Sequence, residues 1–178
     1  SLLIREMNAI LDASQAIHAV IQGDTRSCDV IRATHADGVI HYMNLLSVAF
    51  SARAAALTNE KFKHLGAAGY ILAVLVCVAR LDHPRYRIRL DSGPEDSRRA
   101  VLISFSNSRF TGGDMMMAPR ADPTDGQMDV IRCGEMGRMR LLATFPRIFQ
   151  GTHVQVRDVE QTRARRVTFL DAEPQDVM

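Results

Sequence analysis

Residues 85–107 read RYRIRLDSGPEDSRRAVLISFSN, and this stretch decides the fold. Tyr86, Ile88 and Leu90 alternate with Arg85, Arg87, Arg89 and Asp91. A period of two with one charged face is the pattern of a strand packed on one side only. Ser92-Gly93-Pro94 makes a turn. Val101, Ile103 and Phe105 then alternate with Leu102, Ser104 and Ser106, which gives a second strand running into a loop, Asn107–Asp114.

Working outward, Met128–Cys133, Val154–Val159 and Arg165–Leu170 read as further strands, and Met136–Gln150 as a helix that Pro146 kinks or shortens. Upstream, Cys28–Thr34 and Val39–Ser47 read as extended segments, with Asp37-Gly38 as a hairpin signal between them. Helical sequence covers about Ser51 to Arg80, interrupted near His64–Gly66. Its second half is apolar nearly all round (Tyr70, Ile71, Leu72, Val74, Leu75, Val76), as in a helix that is buried or covered by a partner. Met7, Ile10, Leu11, Ile17, Val20 and Ile21 share one helical face ahead of Gly23. Strands in runs, with helices inserted between them, predict an α+β domain with a largely antiparallel sheet.

Composition narrows the function classes. The 178 residues fit one domain, or one with a small appendage. The net charge is +2 with acids and bases interspersed, which argues against a nucleic-acid partner. Cys28, Cys77 and Cys133 are odd in number and far apart, so a reducing, cytoplasmic setting is expected rather than a disulfide framework or zinc site. The longest apolar stretch, Ala67–Ala79, falls short of the about 20 residues a bilayer span needs.

Three constellations could carry chemistry. Asp122, Asp125 and Asp129 lie within a loop stiffened by Pro119 and Pro123 and turned at Gly126. Such oxygens suit a hard cation, Mg²⁺ or Ca²⁺, and equally a solvated turn. Asp171 and Glu173, at the end of the last strand, could share one cleft if the chain turns there, one taking a proton while the other orients the substrate or a metal. An acidic turn is the plainer reading. Gly112-Gly113 would let a backbone approach a ligand closely, or simply turn. No phosphate-cradling glycine motif is complete, and the six histidines read as structural.

In order, these segments resemble the C-terminal part of the diacylglycerol kinase / sphingosine kinase lipid-kinase family. The resemblance rests on Gly23 through Asp29, on Tyr42-Met-Asn44 through Phe50, on Ile103 through Asn107 to Gly113 and Met115, on Ala118-Pro119 through Asp125-Gly126-Gln127-Met128-Asp129, and on Leu170-Asp171-Ala172-Glu173-Pro174. Ala49, Asp114 and Ala172 stand where the family pattern has glycine, and Ser51 where it usually has an acid.

The resemblance implies a β-sandwich-like domain with helical insertions over 25–178, preceded by a helix over 1–24 at a domain junction, and a separate N-terminal domain that binds ATP through a Gly-Gly-Asp-Gly loop. It implies ATP-dependent phosphorylation of a lipid hydroxyl, with Asp171 as general base, Glu173 beside it, and Mg²⁺ on the phosphates. Asn44, Phe50, Asn107, Gly112 and Gly113 would face the substrate. Asp125 would hold a structural Mg²⁺ or Ca²⁺ with the carbonyls of Asp122 and Gln127. The chain alone would be inactive. It would work in the cytoplasm or peripherally at a membrane, with a homodimer left open. The alternatives are a non-catalytic lipid-binding or interaction module, suggested by Ala172, Ala49 and Asp114, and a related kinase acting on a soluble substrate such as NAD.

Overall fold

The computed structural model describes Ile17, Ile21 and residues 25–62, 64, 66–111 and 115–171. The hairpin reading holds. β1 (Ile31–His35) and β2 (Gly38–Tyr42) pair antiparallel, with His35 opposite Gly38. The two turn residues are Ala36 and Asp37, and Gly38 sits at φ +147° as the first residue of β2. The extended segment Val39–Ser47 is divided in two. A bend at Met43-Asn44 ends β2, and β3 (Leu45–Ala49) belongs to a different sheet.

The sheets order as β3-β6-β7-β8 and β5-β4-β9, with every pairing antiparallel. Here β4 is Arg85–Leu90, β5 Glu95–Arg99, β6 Leu102–Ser106, β7 Met128–Cys133, β8 Val159–Ala164 and β9 Val167–Phe169. β4 alternates as expected: Tyr86 is 4% and Ile88 0% exposed, while Arg85, Arg87 and Arg89 face water. β5 was not expected. Its sequence EDSRR has no apolar alternation, because it is an edge strand whose pairing with β4 rather than its burial defines it. The expected strand Val154–Val159 is also corrected. Thr152–Gln155 forms a 3₁₀ turn after Gly151, and β8 begins only at Val159.

Two cores flank the four-stranded sheet. Between the sheets, Val48, Ile103, Phe105 and Val130 pack on Tyr86, Ile88, Val167 and Phe169. The Phe105 and Phe169 rings meet edge-on at 5.7 Å. Each such buried side chain contributes about 1.5–3 kcal/mol. This is the sandwich. On the other face, Val101, Ile131, Cys133 and Val159 are covered by Met115, Met117, Ala118 and Met136. Ser47, Ser104, Ser106 and Asp129 lie along that second face, all fully or almost fully buried.

The helical insertion is α1 (Phe50–Leu57), a π turn (Thr58–Phe62) and α2 (Gly66–Ala79). Ala73, Val74 and Val78 of α2 are buried, whereas Leu72 and Leu75 are 41% and 48% exposed. Part of its apolar surface is therefore not covered by the described residues. α3 (Arg138–Thr144) gives way at Pro146 to a 3₁₀ turn, Phe145–Gln150, because the proline nitrogen cannot donate to the helix ladder. Among the described residues, no helix is long and apolar enough to cross a membrane.

Candidate functional site

The hairpin β1–β2 is tied to the sandwich through side chains that the sequence had already singled out. Asn107 lies at the end of β6 and is wholly buried. Its amide donates to the carbonyls of Asp29 (2.8 Å) and Met43 (3.1 Å), and its backbone N–H donates to the Asn44 carbonyl. The Ser108 hydroxyl donates to Asn44 Oδ1. Among the described residues Asn107 Oδ1 has no hydrogen-bond partner, and an unmet buried acceptor costs free energy. Asn44 and Asn107 therefore lie together, the Asn107 amide on backbone carbonyls and the Asn44 side chain on the Ser108 hydroxyl.

The acidic loop joins the same cluster. Asp29 Oδ2 accepts from the Gly126 N–H at 2.7 Å, and the Asp29 N–H donates to the Pro123 carbonyl at 2.7 Å. Gly126 holds φ +71°, which glycine adopts without a Cβ penalty. Asp125 Oδ1 accepts from the Gln127 N–H, and its Oδ2 lies 3.5 Å from Arg163 Nη1. Asp122 Oδ1 accepts from the N–H and hydroxyl of Thr124, and the second of these contacts holds its carboxyl below the usual range most strongly. Asp129 runs the other way: burial raises its pKa, partly offset by the Gln161 amide at 2.6 Å. Among the described residues, no three His, Cys, Asp or Glu side chains converge to hold a metal. A cation here would rest on one carboxylate and on carbonyls, which fits a hard ion. It would also compete with Arg163 for Asp125.

The other expected residues lie elsewhere. Phe50 opens α1, its N–H on the Val101 carbonyl, and its side chain packs between the covered sheet face and the helices. Asp171 follows β9 in the three-stranded sheet, where its Oδ2 accepts from the Arg87 N–H at 2.8 Å. The Leu170 N–H donates to the Arg87 carbonyl at 2.8 Å, so the carboxylate extends the β4–β9 ladder by one rung. Glu173, Ala172, Gly112 and Gly113 lie outside the described residues, as does most of the expected helix over 1–24. Of that helix, Ile17 and Ile21 are described, both helical and exposed.

The sequence reading missed the role of Asp29, the residue that binds the acidic loop to the hairpin. Its signal was present in the Gly23–Asp29 segment, but no spacing rule links it to a glycine 97 residues away. It also missed a cleft of about 670 Å³ between the hairpin, the mouth of the acidic loop and β9.

The chain matches known proteins over most of its length. A family model described as the YegS C-terminal NAD kinase beta sandwich-like domain covers residues 44–178. A diacylglycerol kinase of Mycobacterium tuberculosis (strain CDC 1551 / Oshkosh) is 30% identical over 157 residues, 85% of this chain and 50% of that protein. The diacylglycerol kinase of strain ATCC 25618 / H37Rv matches to the same extent. The chain thus spans about half the length of these curated relatives. A crystal structure of a diacylglycerol kinase from Bacillus anthracis str. Sterne aligns with TM-score 0.62 at 14% identity, over 98% of this chain and 53% of that one. Another structure from the same strain, assigned to the same activity, reaches TM-score 0.72 at 18% identity, over 98% and 55%. At such identities the structures speak for the fold.

Proposed function

Because this chain belongs to the family of YegS C-terminal NAD kinase β-sandwich-like domains, whose matched relatives are diacylglycerol kinases, we propose that it forms the lipid side of an ATP-dependent kinase acting on a lipid hydroxyl. The observation that carries this reading is the seating of Asp171. One carboxylate oxygen is fixed by the Arg87 N–H at 2.8 Å, which orients the group at the rim of the sandwich. A carboxylate held this way takes the proton from an acceptor hydroxyl as the new P–O bond forms and the bond from the γ-phosphorus to the ADP oxygen breaks. Glu173 would stand beside it.

Phosphoryl transfer is mainly positioning and charge neutralisation. ATP and Mg²⁺ would sit chiefly on a separate N-terminal domain, Mg²⁺ neutralising the phosphates, so this chain alone would not turn over. The loop at Asp125, with carbonyls of Asp122 and Gln127, would take a structural Mg²⁺ or Ca²⁺, and Arg163 would release Asp125 when it does. Cytoplasmic work at a membrane surface belongs to the same proposal.

The test is phosphate transfer from radiolabelled ATP to diacylglycerol and to sphingoid bases. The 178-residue chain alone should give none. A form that includes an N-terminal nucleotide-binding half should label one of them, and Asp171→Asn should cut that rate by about 100-fold or more. Full retention in Asp171→Asn would refute the base, and labelling by the isolated chain would refute the division of labour.

A further inference from the structure

The cleft of about 670 Å³ has an unusual division of chemistry. Its apolar surface includes Val30 and Ile31 on the hairpin side and Phe105, Val167 and Phe169 of the sandwich. Its charged surface comes from Arg32, Arg165 and Arg166. All three are exposed, and none of their guanidinium groups makes a hydrogen bond or ion pair with the described residues. The single acid in the lining, Asp29, is already engaged by the Gly126 N–H.

The rim is also held in place. Asp91, at φ +49°, accepts the backbone N–H groups of both Arg165 and Arg166 on Oδ1, at 2.9 and 2.8 Å. Its own N–H donates to the Arg166 carbonyl at 2.8 Å. The hairpin side is fixed by the Tyr42 hydroxyl, which donates to the Phe105 carbonyl. Three cations without partners among the described residues, beside an apolar floor, call for a ligand that is anionic at one end and hydrocarbon at the other. Guanidinium groups match phosphate oxygens in geometry as well as charge.

We propose that this cleft binds a phosphate-headed amphiphile, its phosphate on Arg32, Arg165 and Arg166 and its alkyl portion on Ile31, Phe105 and Phe169. Asn107, Gly126 and Gln127 line the same cleft, but none of the three arginines has a role in the kinase reading, so the arginine contacts are tested without it.

Calorimetric titration of the chain with three soluble probes tests this. Short-chain phosphatidic acid carries both features, glycerol 3-phosphate only the head, and short-chain phosphatidylcholine a zwitterionic head on the same tails. Phosphatidic acid should bind about tenfold tighter than either of the others, since burying alkyl groups and pairing a free phosphate each contribute that much or more. Equal binding of glycerol 3-phosphate would overturn the amphiphile and leave a free-phosphate site. Equal binding of phosphatidylcholine, or no binding, would overturn the role of the arginines.

Replacing Arg32→Gln, Arg165→Gln and Arg166→Gln together should weaken phosphatidic acid binding about tenfold or more. Arg147→Gln with Arg157→Gln, exposed cations away from the cleft, should not change it. Equal loss in both variants would show general charge attraction and overturn the site. If the triple variant fails to fold, Arg32→Glu alone carries the same test with the same expected loss.

Discussion

Two arginine clusters in this molecule look alike in composition and differ in their partners. At the β5 edge, Asp96 Oδ2 accepts from Arg98 and from Arg132 at 2.6 Å each, and Arg98 also reaches Glu160 at 2.7 Å. Arg132 is nearly buried, its side chain 8% exposed. At the cleft, Arg32, Arg165 and Arg166 stand in water with nothing to pair with among the described residues. A buried guanidinium must be neutralised inside the fold, because unpaired charge in a low dielectric is costly. An exposed one is free to wait for something else. Arginines of the first kind hold the protein together, and those of the second kind are available for a ligand.

The sharpest way to break this contrast is Asp96→Ala. It strands Arg132 without its carboxylate, so the loss in urea-unfolding free energy should be about 3 kcal/mol. Acid should do the same more gently. The hydrogen bond from Arg98, then that from Arg132, pulls the Asp96 carboxyl down to about 2. A folded pKa below the unfolded one means stability that is present above the unfolded value, near 3.8, and lost as pH falls through about 2. The Asp96-dependent part is about 2 kcal/mol, and Asp96→Asn should flatten this part of the stability–pH curve between those limits.

Asp91→Ala should cost less, about 1 kcal/mol, because water replaces its carboxylate at the exposed N–H groups of Arg165 and Arg166. Asp91→Asn keeps an acceptor oxygen and should recover most of that loss in the same thermal melts. The smallest effect belongs to the cleft. Arg32→Gln, Arg165→Gln and Arg166→Gln together should move unfolding by no more than about 0.5 kcal/mol, since they remove no contact with the described residues. A large loss there would erase the distinction between the two clusters.

The alternation in β4 and the run Met128–Cys133 were legible because burial on a sheet leaves a period of two in the residue types. β5 was not, since EDSRR is held by ladder hydrogen bonds and ion pairs that leave no hydrophobic mark. Val154–Val159 misled for the opposite reason. Its valines are apolar enough for a strand, but Gly151, left-handed at φ +66°, turns the chain so that Val154 falls in a 3₁₀ turn and only Val159 enters β8, both packed on the covered face. Ser104 and Ser106 alternate with the apolar residues of β6 and are themselves buried, because residues from Met115 to Ala118 fold back over that side of the sheet. Ala49, standing where the resemblance expects glycine, does sit at φ +69°, so there the motif had recorded a backbone requirement.

By itself, then, the sequence determined the antiparallel strands, the hairpin and the family, because those follow from local periodicity and from ordered short motifs. The tertiary structure alone decided that Asp29 anchors the acidic loop, that the Asn107 amide ties backbone carbonyls of the hairpin, and that three arginines from distant segments meet at one cleft. Each of these depends on residues roughly a hundred positions apart being brought within hydrogen-bond reach or around one cavity, and no local pattern encodes that distance.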